Sequence, residues 1–269
     1  MDKLHILVAN RLIRLIGNSC KLLSYPLHRV FPRLRFSIPE YSRAKIKPAR
    51  SGPIPRTIWQ TNFTDRVTLP VYLNYLLNRL LSLSSDYYYL GTEARGAYLQ
   101  QQAAPEIYAA YERLNDGAAQ ADLWRLFVLW QQGGVYIDID TSLVWSLDTL
   151  LGERDALFIR SAGHTKFDNY FIAAAPGHPD MQRAIERVLH NIDNYAGEGV
   201  YACTGPAVLQ ELFKGRDDVQ AEARKYVCIQ GTFVNDYFQY LDHPGKKWTD
   251  IDPHDLLKAP REQQQGDRE

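Results

Sequence analysis

The chain has 269 residues, 45% hydrophobic and 23% charged, with zero formal net charge, a composition suited to one main globular core. Its three cysteines, Cys20, Cys203 and Cys228, have no paired spacing, and its seven histidines form no HxxxH pair; a disulfide framework and a helix-borne zinc site of that kind are excluded. Hard oxygen-ligated metals stay open, and the cysteines fit a reducing, cytoplasmic compartment.

The charge is unevenly spread. Residues 1–50 carry eleven Lys/Arg against Asp2 and Glu40, a balance of +9 that leaves −9 for the remainder. We therefore read 1–50 as a basic amphipathic arm and linker, 51–260 as the main domain and 261–269 as a polar tail. In the arm, the apolar run from Leu4 to Ile16 is broken by Asn10, Arg11 and Arg14, short of the roughly 20 apolar residues that cross a bilayer. Two readings follow: a helix lying in the interface on the inner face of a membrane, with Arg11, Arg14, Lys21 and Arg29 toward anionic headgroups, or one packed on its own domain. The prolines from Pro39 to Pro55 read as an extended linker.

Beyond it, Ile54 to Thr61 reads as a strand, Leu69 to Leu83 as an amphipathic helix with Pro70 in its first turn, and the tyrosine-rich Asp86 to Leu90 as a second strand. Glu93–Gln102 and Pro105–Leu114 read as short helices, and Gly117–Gln132 as a longer one that Gly133 can end. On the longer helix Asp122 and Arg125, three apart, share a face. A strand at Val135–Ile137 follows, stopping at Asp138-Ile139-Asp140. Next come an apolar turn (Leu143 to Leu150), strands at Ala156–Arg160 and Tyr170–Ala174, a helix from Asp180 to His190, a helix after Thr204-Gly205-Pro206 with Thr204 as its cap, and a strand at Tyr226–Gln230. Alternating strands and helices of these lengths indicate an α/β domain.

Paired carboxylates at a strand end suit Mg2+ or Mn2+, which binds a diphosphate by bridging its oxygens. The chain has no GxxxxGK[ST] or GxGxxG loop, so bound phosphates would be held by a metal. Three segments in order, Ile54-Pro55-Arg56-Thr57-Ile58-Trp59-Gln60-Thr61, Ala121-Asp122-Leu123-Trp124-Arg125 and Gly133-Gly134-Val135-Tyr136-Ile137-Asp138-Ile139-Asp140, resemble glycosyltransferase family 32. Asn169 with Phe171 to Pro179, and Thr204-Gly205-Pro206, extend the likeness to roughly residues 54–210.

That resemblance implies a GT-A type α/β fold, with a mixed central sheet flanked by helices, and a retaining transfer of a hexose or N-acetylhexosamine from a UDP- or GDP-sugar to a glycan or lipid-linked saccharide. It suggests a setting in bacterial capsule or surface polysaccharide synthesis, with no nucleic-acid partner. Asp138 would contact the donor, Asp140 would hold the metal with Asp138 beside it, and Asp122 with Arg125 would hold sugar hydroxyls. Gln60 and Thr61 would border the nucleotide, with Tyr136, Asn169 and Gly205 completing the donor-contacting set. His243, paired with Trp248 in a closing segment, is a candidate third metal ligand. Two rivals are a haloacid-dehalogenase-like phosphatase using Asp138 as nucleophile, and a noncatalytic glycan-binding assembly subunit.

Overall fold

The computed structural model describes residues 3–48, 52–161 and 166–258; the tail expected at 261–269 lies outside them. The chain opens with α1 (Leu4–Val30), followed by short strands β1 (Phe36–Ser37) and β2 (Tyr41–Ser42), then β3 (Thr57–Thr61), β4 (Arg66–Val67), α2 (Leu69–Leu80) and β5 (Asp86–Leu90). Three helices follow, α3 (Thr92–Gln102), α4 (Pro105–Arg113) and α5 (Gly117–Gln132), and then β6 (Gly134–Ile137), β7 (Thr141–Leu143), α6 (Leu147–Leu151), β8 (Ala156–Arg160) and β9 (Phe167–Ala174). The last part comprises α7 (Pro179–Asp193), α8 (Gly199–Cys203), α9 (Pro206–Leu212), β10 (Ala221–Ala223), β11 (Cys228–Gln230) and α10 (Asp236–Gln239).

Seven strands form one mixed sheet in the order β10-β8-β9-β6-β3-β5-β2. The centre is parallel, β6 beside β3 beside β5, while β9 runs antiparallel to β6 and β8. Strand β6 is buried along its whole length, as its near-continuous apolar sequence requires of a parallel strand covered on both faces. One face carries a core built with α5 and α7 through Leu123, Phe127, Met181 and Ile185. The opposite core gathers Ile6 and Ile13 of α1, Val71 of α2 and Leu147 of α6. The mixed sheet flanked by helices is therefore present as expected.

Between α5 and β6 the chain turns on Gly133 and Gly134, with φ of 67° and 105°. Both conformations favour glycine, and space forbids a side chain as well: a Cβ on Gly134 would lie 2.5 Å from Thr57 O, and one on Gly133 would lie 2.7 Å from Pro176 Cδ. The Trp59 indole closes the turn by donating to Gly133 O at 2.9 Å.

Several elements differ from the sequence reading. The stretch taken as linker contributes β2, which pairs with β5 at the sheet edge, because a tyrosine-rich strand otherwise leaves one row of backbone groups unpaired. Of the two readings of the arm, the contacts agree with packing on its own domain: α1 lies on it, with Asn10 donating to Lys225 O, Lys21 to Gly231 O, and Leu69 N donating to His28 Nε2. The expected apolar turn is instead β7, paired with β11, followed by α6, whose Leu147, Leu150 and Leu151 are buried. Helix α8 was not foreseen, having only five residues and thus little periodicity to read.

Gly134→Ala is expected to destabilise the fold by about 2 kcal/mol, since it adds strain at positive φ to a clash with backbone. Gly177, also at positive φ but with nothing within 4 Å of its Cβ position, is the control. Chemical denaturation of both alanine variants checks this, and equal losses would contradict the close-packing argument.

Candidate functional site

Helix α5 begins where Asp116 accepts from the amides of Ala118 and Ala119, satisfying two of its unpaired N–H groups. This capped, almost fully buried helix carries Asp122 and Arg125 into the end of the sheet, where both are nearly inaccessible. Arg125 stands 2.9 Å from Asp122 Oδ1 and 3.2 Å from Asp138 Oδ1, donates to Asn169 O at 2.6 Å, and lies 4.2 Å over the Tyr136 ring. Tyr136 OH in turn donates to Asp138 Oδ1 at 2.6 Å. Asp122 also accepts from Asn169 Nδ2 at 3.0 Å and from the Thr204 hydroxyl at 2.9 Å. Thr204 thus serves the aspartate rather than capping α9; the residue at that cap is Gly205.

The strand end is braced from below. Gln60, accepting from Tyr87 OH at 2.9 Å, donates its amide to Asp138 O at 3.2 Å. From α2, Asn74 donates to Ile139 O and Thr141 O, and Asn78 donates to Thr141 O and accepts from Leu143 N. The two asparagines are completely buried. Sequence reading took this helix for its leucines and missed them; their four-residue spacing on its buried face was the available signal.

Over these residues opens a cleft of about 610 Å³, in the range of small-molecule sites. Thr61, Asp122, Arg125, Tyr136, Asp138, Asp140, Asn169 and Gly205 line it. Gln60 does not: it is completely buried, so its amide positions Asp138 instead of bordering a nucleotide. His243 does not line the cleft either. Its ring stacks on Phe63 at 4.3 Å and faces a small recess with Thr68 and Asp242, whereas its expected companion Trp248 does line the cleft. The turn between His243 and Trp248 lets the two side chains diverge, with Lys247 in that segment pairing with Asp236 at 2.6 Å. Cleft residues missed in the sequence include Arg95, Asp168, Arg224, Gln230 and Asp236. They come from five separate elements or loops and share no motif.

Charge in the site is unbalanced. Arg125 serves both Asp122 and Asp138, while Asp140 accepts only neutral donors, Gln230 Nε2 at 3.1 Å and the Thr141 hydroxyl at 3.5 Å. Among the described residues no Lys, Arg or His stands within salt-bridge distance of Asp140. Burial, then the charge of Asp138, pushes the Asp140 carboxyl up to about 7 against the pull of Gln230. Burial likewise raises Asp122 to about 7, opposed by Arg125 and the Thr204 hydrogen bond. Burial works against the Arg125 charge, yet Asp138, Tyr136 and Asp122 hold its pKa above the usual value. At the strand end itself three carboxylates share one guanidinium, with Asp138 and Asp140 at the open side, while Arg95, Arg224, Lys246 and Lys247 stand elsewhere in the cleft lining against Asp168 and Asp236. Two carboxylates with room for phosphate oxygens and water are a suitable set for Mg2+ or Mn2+. Among the described residues, no group of three or more His, Cys, Asp and Glu side chains gathers into a cage made by the protein alone.

Residues 70–157 match the family described as "Glycosyltransferase sugar-binding region containing DXD motif". The matched segment holds Asp122, Arg125 and Gly133 to Asp140; the likeness read in Ile54–Thr61 and after Asn169 lies outside it. Relatives include the mannosyl phosphorylinositol ceramide synthase SUR1 of Saccharomyces cerevisiae, 28% identical over 62% of this chain and 44% of that protein. Inositol phosphoceramide mannosyltransferase 3 of Schizosaccharomyces pombe is 23% identical over 76% of this chain and 58% of its own length. The initiation-specific alpha-1,6-mannosyltransferase of S. cerevisiae is 28% identical over 46% of this chain and 25% of its own. The chain thus spans about half the length of the first two. Among solved structures, the PaToxG glycosyltransferase superposes with a TM-score of 0.49 at 17% identity, covering 80% of each chain.

Arg125→Met is expected to cost about 3–5 kcal/mol, because it leaves Asp122 and Asp138 without their buried counter-charge. Arg125 lowers the Asp122 pKa in the intact protein, so its loss raises that pKa further above 7; relative to the unmodified protein, the part of the deficit due to Asp122 is full at alkaline pH and is lost as pH falls to 7 and below. Denaturant midpoints at pH 5 and 8 check this; a deficit that grows on acidification would contradict the charge assignment.

Proposed function

We propose that this chain, which carries the DXD-containing sugar-binding region of glycosyltransferases over residues 70–157, is a metal-dependent glycosyltransferase. It moves a hexosyl group from a nucleotide-sugar to a glycan or lipid-linked saccharide. The observation that carries this reading is the uncompensated Asp140 beside Asp138, at the mouth of a cleft whose inner wall is the Asp122–Arg125 pair. A diphosphate is a poor ligand for bare carboxylates; a dication between them reverses that. Asp138 and Asp140 would hold Mn2+ or Mg2+, which supplies charge neutralisation to the departing nucleoside diphosphate.

The protein's own side chains have separable tasks. A carboxylate offers about four acceptor positions; Asp122 uses three, on Arg125, Asn169 and Thr204, and keeps one toward the cleft for a sugar hydroxyl. Arg125 fixes Asp122 and Asp138 relative to each other, and Gln60 and Asn74 fix the strand end behind them, so the donor meets a preorganised wall. The acceptor hydroxyl bonds to the anomeric carbon on the face where the donor's C–O bond to the diphosphate breaks, and its proton passes to the departing diphosphate, so the configuration is retained. The names of the relatives make mannose the first donor sugar to test, within a panel of UDP- and GDP-linked hexoses and N-acetylhexosamines. The acceptor assigned by the same reading is a surface polysaccharide or lipid-linked saccharide reached from the cytoplasmic side of a membrane.

The phosphatase reading would have to use Asp138 Oδ2, because Oδ1 is engaged by Arg125 and Tyr136. Donor hydrolysis with Mn2+ across the panel is the deciding assay. Phosphate release from simple monoesters, with no sugar-nucleotide turnover, would overturn the transferase reading.

Asp140→Asn is expected to lower metal-dependent turnover by about 10²–10³-fold, the scale of losing one electrostatic stabiliser of the leaving group. It should not lower stability, because it removes repulsion between Asp138 and Asp140. A second outcome follows from the raised pKa of Asp140. At pH 6 about one carboxyl in ten is ionised and at pH 8 about nine in ten, so apparent Mn2+ affinity should rise about tenfold across that interval. Calorimetric titration with Mn2+ at both pH values measures it; a flat profile would remove Asp140 from the metal site.

A further inference from the structure

We propose that the outward face of α1 seats the protein in the interface of an anionic membrane. The helix has two unlike sides. Ile6, Ile13, Gly17 and Ser24 form the side buried against the domain. Roughly opposite, within about 120° of arc at 100° per residue, stand Val8, Leu12, Leu15, Ile16, Leu22 and Leu23. These six aliphatic side chains are 51–71% exposed. A surface helix of a water-soluble protein turns polar residues outward; this one turns out leucines over most of its 27 residues. Among the described residues no helix is long and apolar enough to cross a membrane, so the face suits lying in an interface.

Charge selects the occupant. From residue 3 to residue 39 there are seven Lys/Arg and no Asp or Glu. Arg11 and Arg29 flank one edge of the apolar arc, and both are exposed, as are Arg14 and Arg33. Leucines bordered by arginines fit acyl chains under anionic headgroups. A second copy docking through the same face would set one basic flank against another.

The helix is anchored to the domain on its other side, and Lys21 holds Gly231 O next to the cleft. The test therefore keeps the full chain and changes only exposed residues: Leu12→Ser/Leu15→Ser/Leu22→Ser in one variant, and Arg11→Glu/Arg29→Glu in another. Co-sedimentation with phosphatidylcholine vesicles, with or without phosphatidylglycerol, gives the readout, with circular dichroism confirming the fold. The unmodified protein should bind the anionic vesicles and prefer them over neutral ones. Both variants should bind about tenfold or more weakly with unchanged melting. Failure of the unmodified protein to bind, or equal binding by folded variants, would overturn the proposal. So would light scattering that finds a dimer which the serine variant converts to monomer, since the face would then be a self-interface.

Discussion

The carboxylates of the site depend on one buried cation, Arg125. Arg125 sits where the C-terminal ends of β3 and β6 meet the body of α5, and it holds two carboxylates that would otherwise repel each other in a poorly solvated place. Its guanidinium is fixed from several directions, by Asp122 from its own helix, by Asp138 from the strand end, by the carbonyl of Asn169 on β9 and by the face of Tyr136 on β6. A lysine could not form this set, since it presents a point charge instead of a planar fork. Because its fork reaches the helix, the strand end and β9 at once, Arg125 acts as a joint between helix and sheet. The remaining negative charge is displaced outward to Asp140, where a ligand can reach it.

The joint requires the short connection between α5 and β6. Only a turn of two positive-φ glycines, packed against Pro55, Pro176 and Thr57 O, brings the end of a 16-residue helix directly into the central strand. Asp122 and Asp138 are thereby brought to the same terminal nitrogen, Nη2, of one guanidinium. Beneath them, buried amides of Gln60, Asn74 and Asn78 occupy the backbone carbonyls that appear when β6 stops and β7 begins. Buried carbonyls need partners, and these side chains supply them where no neighbouring strand can.

This explains which parts could be read from the sequence. The helix ending at Gly133, the strand to Ile137 and the paired aspartates are local, and their pattern carries its own physical meaning. Asp122 and Arg125 were legible because three-residue spacing puts them on one face. The asparagines of α2 were hidden among leucines that pointed to a different face of the same helix. Gln60 was misread because strand alternation says that a residue points up or down and does not reveal that the side below holds the carbonyl of Asp138. His243 and Trp248 sat in a segment with no regular period, so their divergence could not be foreseen. Arg95, Arg224 and Asp236 converge on the cleft only through the topology of the sheet and its loops.

The arm shows the same limit. Composition marked residues 1–50 as a separate basic object, yet net charge says nothing about contacts. One side of α1 completes the core under α2, and through Lys21 it supports Gly231, whose amide donates to Asp140 O at 3.0 Å. Gln230, the residue before it, donates to the Asp140 carboxylate. The wall that holds the exposed end of the carboxylate pair thus rests on the helix whose other side carries the exposed leucines. An arm that hung free could be removed without reaching the site. One built into the core couples the two, because any force that tilts α1 bears on the strand facing Asp140.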